Sequence, residues 1–348
     1  MINKKLLAEI CEVAGAPGHE QRVREIVIKQ VKPLVDEIRI DNMGNVVAIK
    51  KGKERKKVMI AAHMDEIGFI VTHVDDQGFI YFHTLGGFDP KTLTAQRVII
   101  HGKKDVIGVM GSKPIHLMSV ADRAKVPTIK DYFIDTGMTK KELDKLISVG
   151  DTITRDRKLI EMGECLNCKS MDNRVSVFIL IEMLREMKNI PPYDVYAVFT
   201  VQEEIGIRGA NVSAMDINPD FGFGLDTTIA WDTPGSTKQE RVSALGEGAC
   251  IKVMDSSTVC DYRMVAYMKE IAKKKKIKTQ LEILPAGGTD TSGVQRMNPG
   301  GSIAGAVSIP TRHIHQVIEM VNKKDVRAAI DLLGGCVENL NSYDWNFK

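Results

Sequence analysis

Polar residues that can bind a metal ion or move a proton follow several apolar runs of this sequence. The runs are VMIAA at 58–62, VYAVFTV at 195–201, FGFGL at 221–225 and a run that ends at residue 309. The polar residues after them are His63, Asp65, Glu203, Glu204, Asp226, His313 and His315, and one more acid, Asp172, opens a long helix-like stretch. Imidazole and carboxylate groups without thiolate suit Zn²⁺, Co²⁺ or Mn²⁺ better than an iron–sulfur cluster or Cu⁺.

Each of these residues, taken alone, also fits an ordinary structural role. Asp172 can cap the helix that follows it, and Asp226 can stabilise a turn. Glu203 and Glu204 can lie in a solvated turn. Their common position after apolar runs favours a shared site, because ligands bind beyond the carboxyl ends of the strands in α/β sheets.

The number of candidate ligands indicates two metal ions. A catalytic zinc keeps three protein ligands and an open position, whereas two histidines and at least three carboxylates are available here. Five ligands fit two ions about 3.5–4 Å apart that share one carboxylate, the arrangement of two-metal hydrolases. In extended chain, His63 and Asp65 point to the same face. Asp65 is therefore expected to accept the ring N–H of His63 and fix its tautomer.

The elements that position these residues are predicted from hydrophobic periodicity. The first part of the chain predicts two helices, then two strands joined by the turn DNMGN, then the strand that precedes His63. From about residue 68 to 154, short β-rich pieces separated by Gly and Asp-Asp turns indicate a small inserted domain. The elements predicted in these parts are helices at 4–14, 21–35 and 140–147 and strands at 37–40, 45–50 and 58–62.

After about residue 160, strands alternate with amphipathic helices. Helices are predicted at 175–187, from 262 onward and at 317–333, and strands at 195–201, 221–225, 249–254, 279–284 and 302–309. This alternation indicates an α/β fold with a mixed sheet covered by helices on both faces. The expected domains are a larger one, formed by 1–66 and 160–348, and the inserted β-rich domain at 67–159.

Composition argues against several other classes of protein. The length suggests about two domains, and the net charge of +3 is too balanced to indicate a nucleic-acid or membrane partner. Glu9 and Glu12 interrupt the first apolar stretch, which is typical of an amphipathic helix and not of a secretory signal. The longest apolar runs are too short to span a bilayer. Six cysteines, including a CxxC at Cys165 and Cys168, indicate incidental thiols and a reducing cytoplasm.

On these motifs the sequence resembles the M42 family of dinuclear-metal aminopeptidases, which includes tetrahedral and glutamyl aminopeptidases and proteins also named glucanase homologues. The matching motifs, in family order, are AAHMDEIGF, SMDNR, VQEEIGIRGA, GLDTT, GGTD and IPTRHIH. They extend from residue 61 to 315, so the resemblance covers essentially the whole chain. It implies a zinc-peptidase-like catalytic domain.

The resemblance also implies a role for each candidate ligand. Asp172 matches the residue that bridges the two metal ions. His63 and Asp226 match the other ligands of one ion, and Glu204 and His315 match those of the second ion. The implied cofactors are two divalent ions per subunit, Zn²⁺ or Co²⁺, with Mn²⁺ as a further option.

The implied activity is hydrolysis of the N-terminal residue from short peptides. The two metals would lower the pKa of a shared water and polarise the scissile carbonyl. Glu203 would act as general base and pass the proton to the leaving amine, while Asp65 supports His63. The family further implies dimers formed through 67–159, and commonly a tetrahedral dodecamer that encloses its active sites.

The sequence departs from the family pattern after Arg312. His313 stands where the family commonly has an aromatic residue, so His315 matches the ligand; a slipped register with His313 as the ligand is the alternative. Gln316 and Val317 replace a small residue and a proline. The loop at 286–301 is also longer and richer in glycine than the family pattern.

Two other classes of function compete with a peptidase. A glycosidase uses two carboxylates roughly 5–9.5 Å apart, a spacing that the adjacent Glu203 and Glu204 reach only with unusual geometry. It leaves the two histidines unexplained, and aromatic residues for sugar stacking make up only 5% of the chain. A non-catalytic, metal-stabilised assembly protein would bind metal without turnover.

Overall fold

The computed structural model describes residues 2–347 of the 348-residue chain. Helices occur along the whole described sequence. They are α1 (Lys4–Glu12), α2 (Gln21–Val31), α3 (Val120–Ala124), α4 (Lys140–Leu143), α5 (Met171–Glu186), α6 (Arg208–Ile217), α7 (Tyr262–Lys275), α8 (Thr291–Arg296) and α9 (Lys323–Asn339). Within this range, no helix combines the length and the apolar character that crossing a membrane requires.

The strands belong to two sheets. They are β1 (Glu37–Ile40), β2 (Val46–Lys50), β3 (Glu54–His63), β4 (Gly68–Val74), β5 (Ile80–Leu85), β6 (Arg97–His101), β7 (Asp105–Ser112), β8 (Tyr132–Asp135), β9 (Thr152–Arg155), β10 (Ile160–Met162), β11 (Cys165–Cys168), β12 (Tyr193–Thr200), β13 (Phe221–Ile229), β14 (Ala249–Met254), β15 (Thr279–Ile283), β16 (Ile303–Arg312) and β17 (Glu319–Asn322). Strands β4 to β9 close into a barrel in the order β4-β5-β8-β7-β6-β9, around an apolar core of their own. The interval 67–159, predicted as an inserted domain, spans this barrel.

The main sheet brings the ends of its central strands to one edge. Its order is β1-β2-β12-β3-β13-β16-β17-β11-β10, with β14 and β15 attached beside β16. The neighbours β12, β3, β13 and β16 are parallel, and β2, β17 and β14 pair antiparallel with members of this group. Strand β15 is parallel to β14. Thr200 pairs with His63, and Gly224 pairs with Ala61 in a parallel register. Two residues further along both strands, Asp226 therefore lies beside His63. Such an edge is the usual place for a ligand site in an α/β sheet.

Helices cover both faces of the main sheet, as the sequence predicts. Along β3, Val58 and Ile60 face a core that is shared with α1, α2, α5, α7 and α9. Met59 and Ala61 face the opposite core, shared with α6 and α8. This alternation follows from the two-residue period of a strand, and it confirms the predicted mixed sheet between two helical layers.

Helix α8 packs unusually close to β13. A Cβ atom on Gly224 would lie 1.8 Å from the hydroxyl oxygen of Thr291, so glycine is required there. The close approach places Asp290, directly before α8, where its carboxylate accepts a hydrogen bond from the Thr200 hydroxyl. The GGTD motif is thereby tied to the end of β12.

A buried ionic cluster holds the start of α5, the central helix. Lys169 donates to the two carboxylate oxygens of Glu66 at 2.7 and 2.6 Å, and the Ser170 hydroxyl donates to the same carboxylate at 2.5 Å. Arg174 lies 3.5 Å from Glu66 and donates to the carbonyl of Ile10 in α1 at 2.6 Å. Burial alone would raise the pKa of Glu66, but Lys169 and Arg174 outweigh it and hold that pKa below its usual value.

One C-terminal element differs from the prediction. A helix is predicted at 317–333, but Glu319–Asn322 forms β17 and the helix α9 begins only at Lys323. Val317, Glu319 and Val321 are all buried while the residues between them are less so, which is a strand pattern. The pattern is hidden in the sequence because Glu319, a charged residue, occupies the buried face.

Replacing Glu66 with glutamine is expected to lower the free energy of unfolding by about 3 kcal/mol at neutral pH, because Lys169 is left buried without its carboxylate. The folded pKa of Glu66 is depressed, so its contribution is complete above the unfolded value of about 4.3 and is lost as pH falls through the folded value. Urea denaturation in a chelating buffer measures the free energy of unfolding of both proteins. The difference between wild type and Glu66→Gln should become smaller below about pH 4.

Glu247→Gln provides a matched control for this measurement. Glu247 forms an exposed ion pair with Lys278 at 2.8 Å, and losing it should cost less than about 1 kcal/mol. The role assigned to the Glu66 carboxylate would be contradicted if the free energies of unfolding of wild type and Glu66→Gln differed by a constant amount down to about pH 3.

Candidate metal centre

The structure brings all the predicted ligands to one edge of the main sheet. They are His63 at the end of β3, Asp172 in the first turn of α5, Glu204 after β12, Asp226 within β13, and His315 between β16 and β17. Glu203, the predicted general base, directly precedes Glu204. Non-glycine residues with positive φ occur at or near these positions: Ser170, Gln202, Ile207, His313 and His315. Such conformations persist only where the surrounding structure imposes them, and they are concentrated at functional sites.

Asp172 lies between the two histidines. Its Oδ1 is 3.4 Å from Nε2 of His63, and its Oδ2 is 3.4 Å from Nε2 of His315. Oε2 of Glu204 is also 3.4 Å from Nε2 of His315. On the other side, Oδ1 of Asp226 is 3.7 Å from Nε2 of His63. The ligands thus form two groups that share Asp172.

These spacings of 3.4–3.7 Å are close to those expected for atoms that bind a common ion. Nitrogen and oxygen atoms that form a hydrogen bond are usually 2.7–3.2 Å apart. Two ligands bound at 2.0–2.1 Å to a tetrahedral zinc are about 3.3 Å apart. Ligand atoms of His63, Asp172 and Glu204 also lie within 4.8 Å of one another, so both groups belong to one compact cluster.

The carboxylates lie close enough to oppose one another's ionisation. Burial and the nearby Asp172 raise the pKa of Glu204 to about 8 and that of Asp226 to about 8. Burial raises the pKa of Glu203 well above its ordinary value. Burial would lower the pKa of His315, but Glu204 and Asp172 raise it to about 10. A divalent cation would offset this concentration of negative charge.

One oxygen of the cluster has no partner in the described structure. Oε1 of Glu204 is buried and makes no hydrogen bond. A buried polar atom left in this state is costly unless another group binds it. With the imidazole and carboxylate donors around it, the cluster fits a pair of divalent cations.

Asp65 contacts two parts of the site. Its carboxylate accepts the backbone N–H groups of Glu203 and Glu204, each at 3.0 Å, and so holds the turn that carries both. Nδ1 of His63 lies 3.1 Å from the Asp65 carbonyl oxygen and 3.4 Å from its Oδ1. Either acceptor places the ring proton on Nδ1 and leaves Nε2 free for a cation. The contact with the glutamate turn is not visible in the spacing of His63 and Asp65.

Two further charged residues that sequence reasoning missed lie against the site. Glu319 of β17 accepts the backbone N–H of Asp172 at 2.9 Å, and burial together with Asp172 raises its pKa to about 8. Arg155 of the barrel is buried, and it donates to the His315 carbonyl at 3.3 Å. Nothing local in the sequence marks either residue, since each reaches the site through strand pairing of distant segments.

A cleft of about 430 Å³ opens onto the cluster. Ile314 and His315 line this cleft, whereas His313 is exposed and is not part of its lining. From the glycine-rich loop at 286–301, Gly287, Gly288 and Thr289 line it. The loop that departs from the family pattern therefore forms part of the cleft wall.

Comparisons with known sequences give consistent results. The family model described as M42 glutamyl aminopeptidase matches residues 44–332. The chain is 32% identical to the lysyl aminopeptidase of Pyrococcus furiosus over 99% of both chains. It is 29% identical to the glutamyl aminopeptidase of Lactococcus lactis, over 96% of this chain and 95% of the relative.

Solved structures with the same architecture carry peptidase names, and some of them carry an endoglucanase name. An aminopeptidase from Desulfurococcus kamchatkensis superposes with a TM-score of 0.92 at 37% identity, covering 96% of this chain and 94% of that one. The TET1 peptidase of Pyrococcus horikoshii, described as assembling into a tetrahedron or an octahedral shell, gives 0.86 at 28% identity and 96% and 98% coverage. A Thermotoga maritima protein named endoglucanase gives 0.80 at 28% identity, with 96% of both chains covered. The chain belongs to the M42 family of aminopeptidases and is a peptidase.

Proposed function

We propose that the protein is a metal-dependent aminopeptidase that removes N-terminal residues from short peptides with two divalent cations. The observation that carries the proposal is Asp172, whose two carboxylate oxygens each lie 3.4 Å from a different histidine. A carboxylate in this position is suited to bridge two cations. His63 and Asp226 would complete one cation site, and Glu204 and His315 the other.

The proton transfers would fall to Glu203. When bound, the cations would activate a water molecule and polarise the carbonyl of the scissile peptide bond. Oε2 of Glu203 lies 3.8 Å from Nε2 of His63, and the hydrogen bond from its backbone N–H to Asp65 fixes its position. Its carboxylate would take a proton from the water and deliver it to the leaving amine. The α-amino group of the substrate would sit beside a carboxylate of the cleft.

The types of ligand atom at the site indicate which cations it can bind. Imidazole and carboxylate ligands suit Zn²⁺, Co²⁺ and Mn²⁺, and no cysteine is among the described residues that line the cleft. Because affinities for these ions follow the same order at most sites, metal supply decides among them.

A glucanase is the competing activity, since a structural neighbour bears that name. Among the described residues that line the cleft, none is Phe, Tyr or Trp, so a sugar ring would find no aromatic surface to stack on. Assays of aminoacyl p-nitroanilides and of a soluble glucan, before and after chelation and Zn²⁺ or Co²⁺ add-back, separate the candidates. Chelator-sensitive release of p-nitroaniline without glucan cleavage is expected, whereas metal binding with no turnover would indicate an assembly protein.

Replacing Glu203 with glutamine should reduce kcat by about 10²–10⁴-fold while both cations stay bound, because the general base is lost and no ligand is. Glu204→Gln is the matched neighbour and should lower the metal content as well. Stopped assays and elemental analysis of the same samples measure both quantities. Wild-type turnover in Glu203→Gln would rule out its assignment as the base.

Replacing His315 with alanine should lower the metal content by one cation per chain and weaken cation affinity at least about tenfold. His313→Ala serves as the control, since His313 is exposed and should retain both cations. Elemental analysis after dialysis against a defined metal buffer decides between them. Metal loss in His313→Ala with a full complement in His315→Ala would instead support the slipped register.

We also propose that the chain forms dimers through 67–159 and assembles further into a tetrahedral dodecamer. Large apolar side chains are exposed in this segment, among them Ile107 at 63%, Leu117 at 70% and Val120 at 85%. Exposed apolar side chains that together form a patch mark protein contacts, and we propose that these do. The assembly described for the TET1 peptidase supports the same proposal.

Mass photometry of the Leu117→Asp/Val120→Asp double variant should show a shift to smaller species than the wild type, because charged groups cannot be buried in an apolar contact. Ile190→Asp, at a position 63% exposed and outside the barrel segment, should assemble normally. A wild-type protein that is a stable, active monomer when dilute would contradict the proposal.

We assign the protein to a reducing cytoplasm as part of the same proposal. The six cysteines are free, and all but Cys165 are buried. Free thiols in this number are typical of reducing compartments.

A further inference from the structure

A second polar cluster in the cleft bears on which N-terminal residue is accepted, provided that the proposed function holds. Lys252 lines the cleft with a side chain that is only 1% exposed. Its Nζ donates to Oδ2 of Asp255 at 2.9 Å and lies 3.2 Å from Oε1 of Glu282. One ammonium group thus faces two carboxylates, and the formal charge of the cluster is negative.

The Asp255 carboxylate has no free acceptor for a substrate. Its Oδ1 accepts the backbone N–H groups of Ser257 and Thr258 at 2.9 and 2.8 Å, and the Ser257 hydroxyl at 3.0 Å. Its Oδ2 accepts Lys252 and the Thr289 hydroxyl at 3.2 Å. Five donors therefore saturate this carboxylate.

The Glu282 carboxylate is likewise withdrawn from the cleft. Its Oε1 accepts the Thr228 hydroxyl at 2.8 Å, next to the Lys252 ammonium. Its Oε2 is buried without a hydrogen-bond partner, and Glu282 is not part of the cleft lining, so a substrate in the cleft does not meet this oxygen. Glu282 therefore neutralises the charge of Lys252 without facing the cleft itself.

The large side chains of the remaining cleft wall are aliphatic, beside threonines and glycines. Four large apolar side chains line it without being fully buried: Ile207, Ile229, Leu284 and Ile314. Apolar surface in a concave site is favourably removed from water when a ligand covers it. The wall is therefore complementary to an apolar group.

We infer that this part of the cleft receives the side chain of the N-terminal residue and selects uncharged aliphatic side chains of the leucine and methionine class. Lys252 is the specificity-determining residue, because its pairing with Asp255 and Glu282 leaves no net positive charge to attract an acidic side chain.

An acidic and a basic side chain of the N-terminal substrate residue are each disfavoured in this part of the cleft, for different reasons. An acidic side chain meets Lys252 only together with two carboxylates, whose repulsion opposes the attraction of the ammonium group. A basic side chain finds no unpaired carboxylate oxygen of this cluster in the cleft lining, because Asp255 is saturated and Glu282 lies behind the lining, so it would be desolvated without a partner. An aliphatic side chain needs no partner and covers the apolar wall.

Steady-state kinetics of the cation-loaded, full-length protein test the inference. The kcat/KM values for the p-nitroanilides of leucine and methionine should exceed those for glutamate and lysine by at least about tenfold. Values for glutamate or lysine equal to or above leucine would overturn the inference and leave the aminopeptidase proposal standing. Cleavage of none of the four amides, with metal content verified, would overturn both.

Two variants test the role of Lys252 directly. Glu282→Gln removes one of its two carboxylates, so the glutamate-to-leucine ratio of kcat/KM should rise about tenfold. Lys252→Met leaves two carboxylates without an ammonium group, so the lysine-to-leucine ratio should rise by about the same factor. Glu247→Gln and Lys278→Met make the same charge changes in an exposed pair outside the cleft lining and should leave both ratios unchanged.

Thermal unfolding and metal content establish that each variant is folded and loaded. Unchanged ratios in folded, loaded Glu282→Gln and Lys252→Met would overturn the role of Lys252. Where a variant does not fold, the wild-type ratios decide the inference.

Discussion

Negative charge is concentrated around Asp172. One of its carboxylate oxygens lies 3.4 Å from His63, and the other lies 3.4 Å from His315. Glu204 and Asp226 are buried beside Asp172, and their pKa values are raised first by desolvation and then by repulsion from Asp172. Protons can relieve the repulsion by neutralising the carboxylates, whereas divalent cations can relieve it while keeping them ionised. In the proposed function, these carboxylates need positive charge beside them, and two divalent cations supply it.

Groups outside the ligand set hold the charged cluster together. Glu319 binds the backbone of Asp172, and the ion pair of Glu66 with Lys169 fixes the segment directly before it. Asp65 binds the turn that carries Glu203 and Glu204 in the same way. Supporting contacts of this kind determine how accurately ligands are oriented toward a metal. The barrel takes part as well, through Arg155 and the carbonyl of His315.

The position of the candidate ligands was largely predictable from the sequence. Apolar runs identify the central strands, and parallel strands end at one edge, so polar residues after those runs had to meet there. The spacing did not distinguish the roles of Glu203 and Glu204; the family resemblance did. In the structure Glu204 lies 3.4 Å from His315, while Glu203 lies 3.8 Å from His63.

Contacts between distant segments were not predictable. Glu319 lies in a segment whose spacing is also compatible with a helix, and its burial depends on pairing with β11 and β16. Arg155 belongs to strand β9 of the barrel, and it reaches the site through its contact with the carbonyl of His315, a residue 160 positions away in the sequence. The pairing of Lys252 with Glu282 depends on the register of β14 against β15, which no local pattern specifies.

Anomalous diffraction from crystals of the zinc-loaded protein, collected on both sides of the zinc absorption edge, tests the two-cation site most directly. Two anomalous peaks are expected, on either side of the Asp172 carboxylate, one beside His63 and Asp226 and one beside Glu204 and His315. A single peak at full occupancy, or peaks that do not contact Asp172, would contradict a centre bridged by this residue.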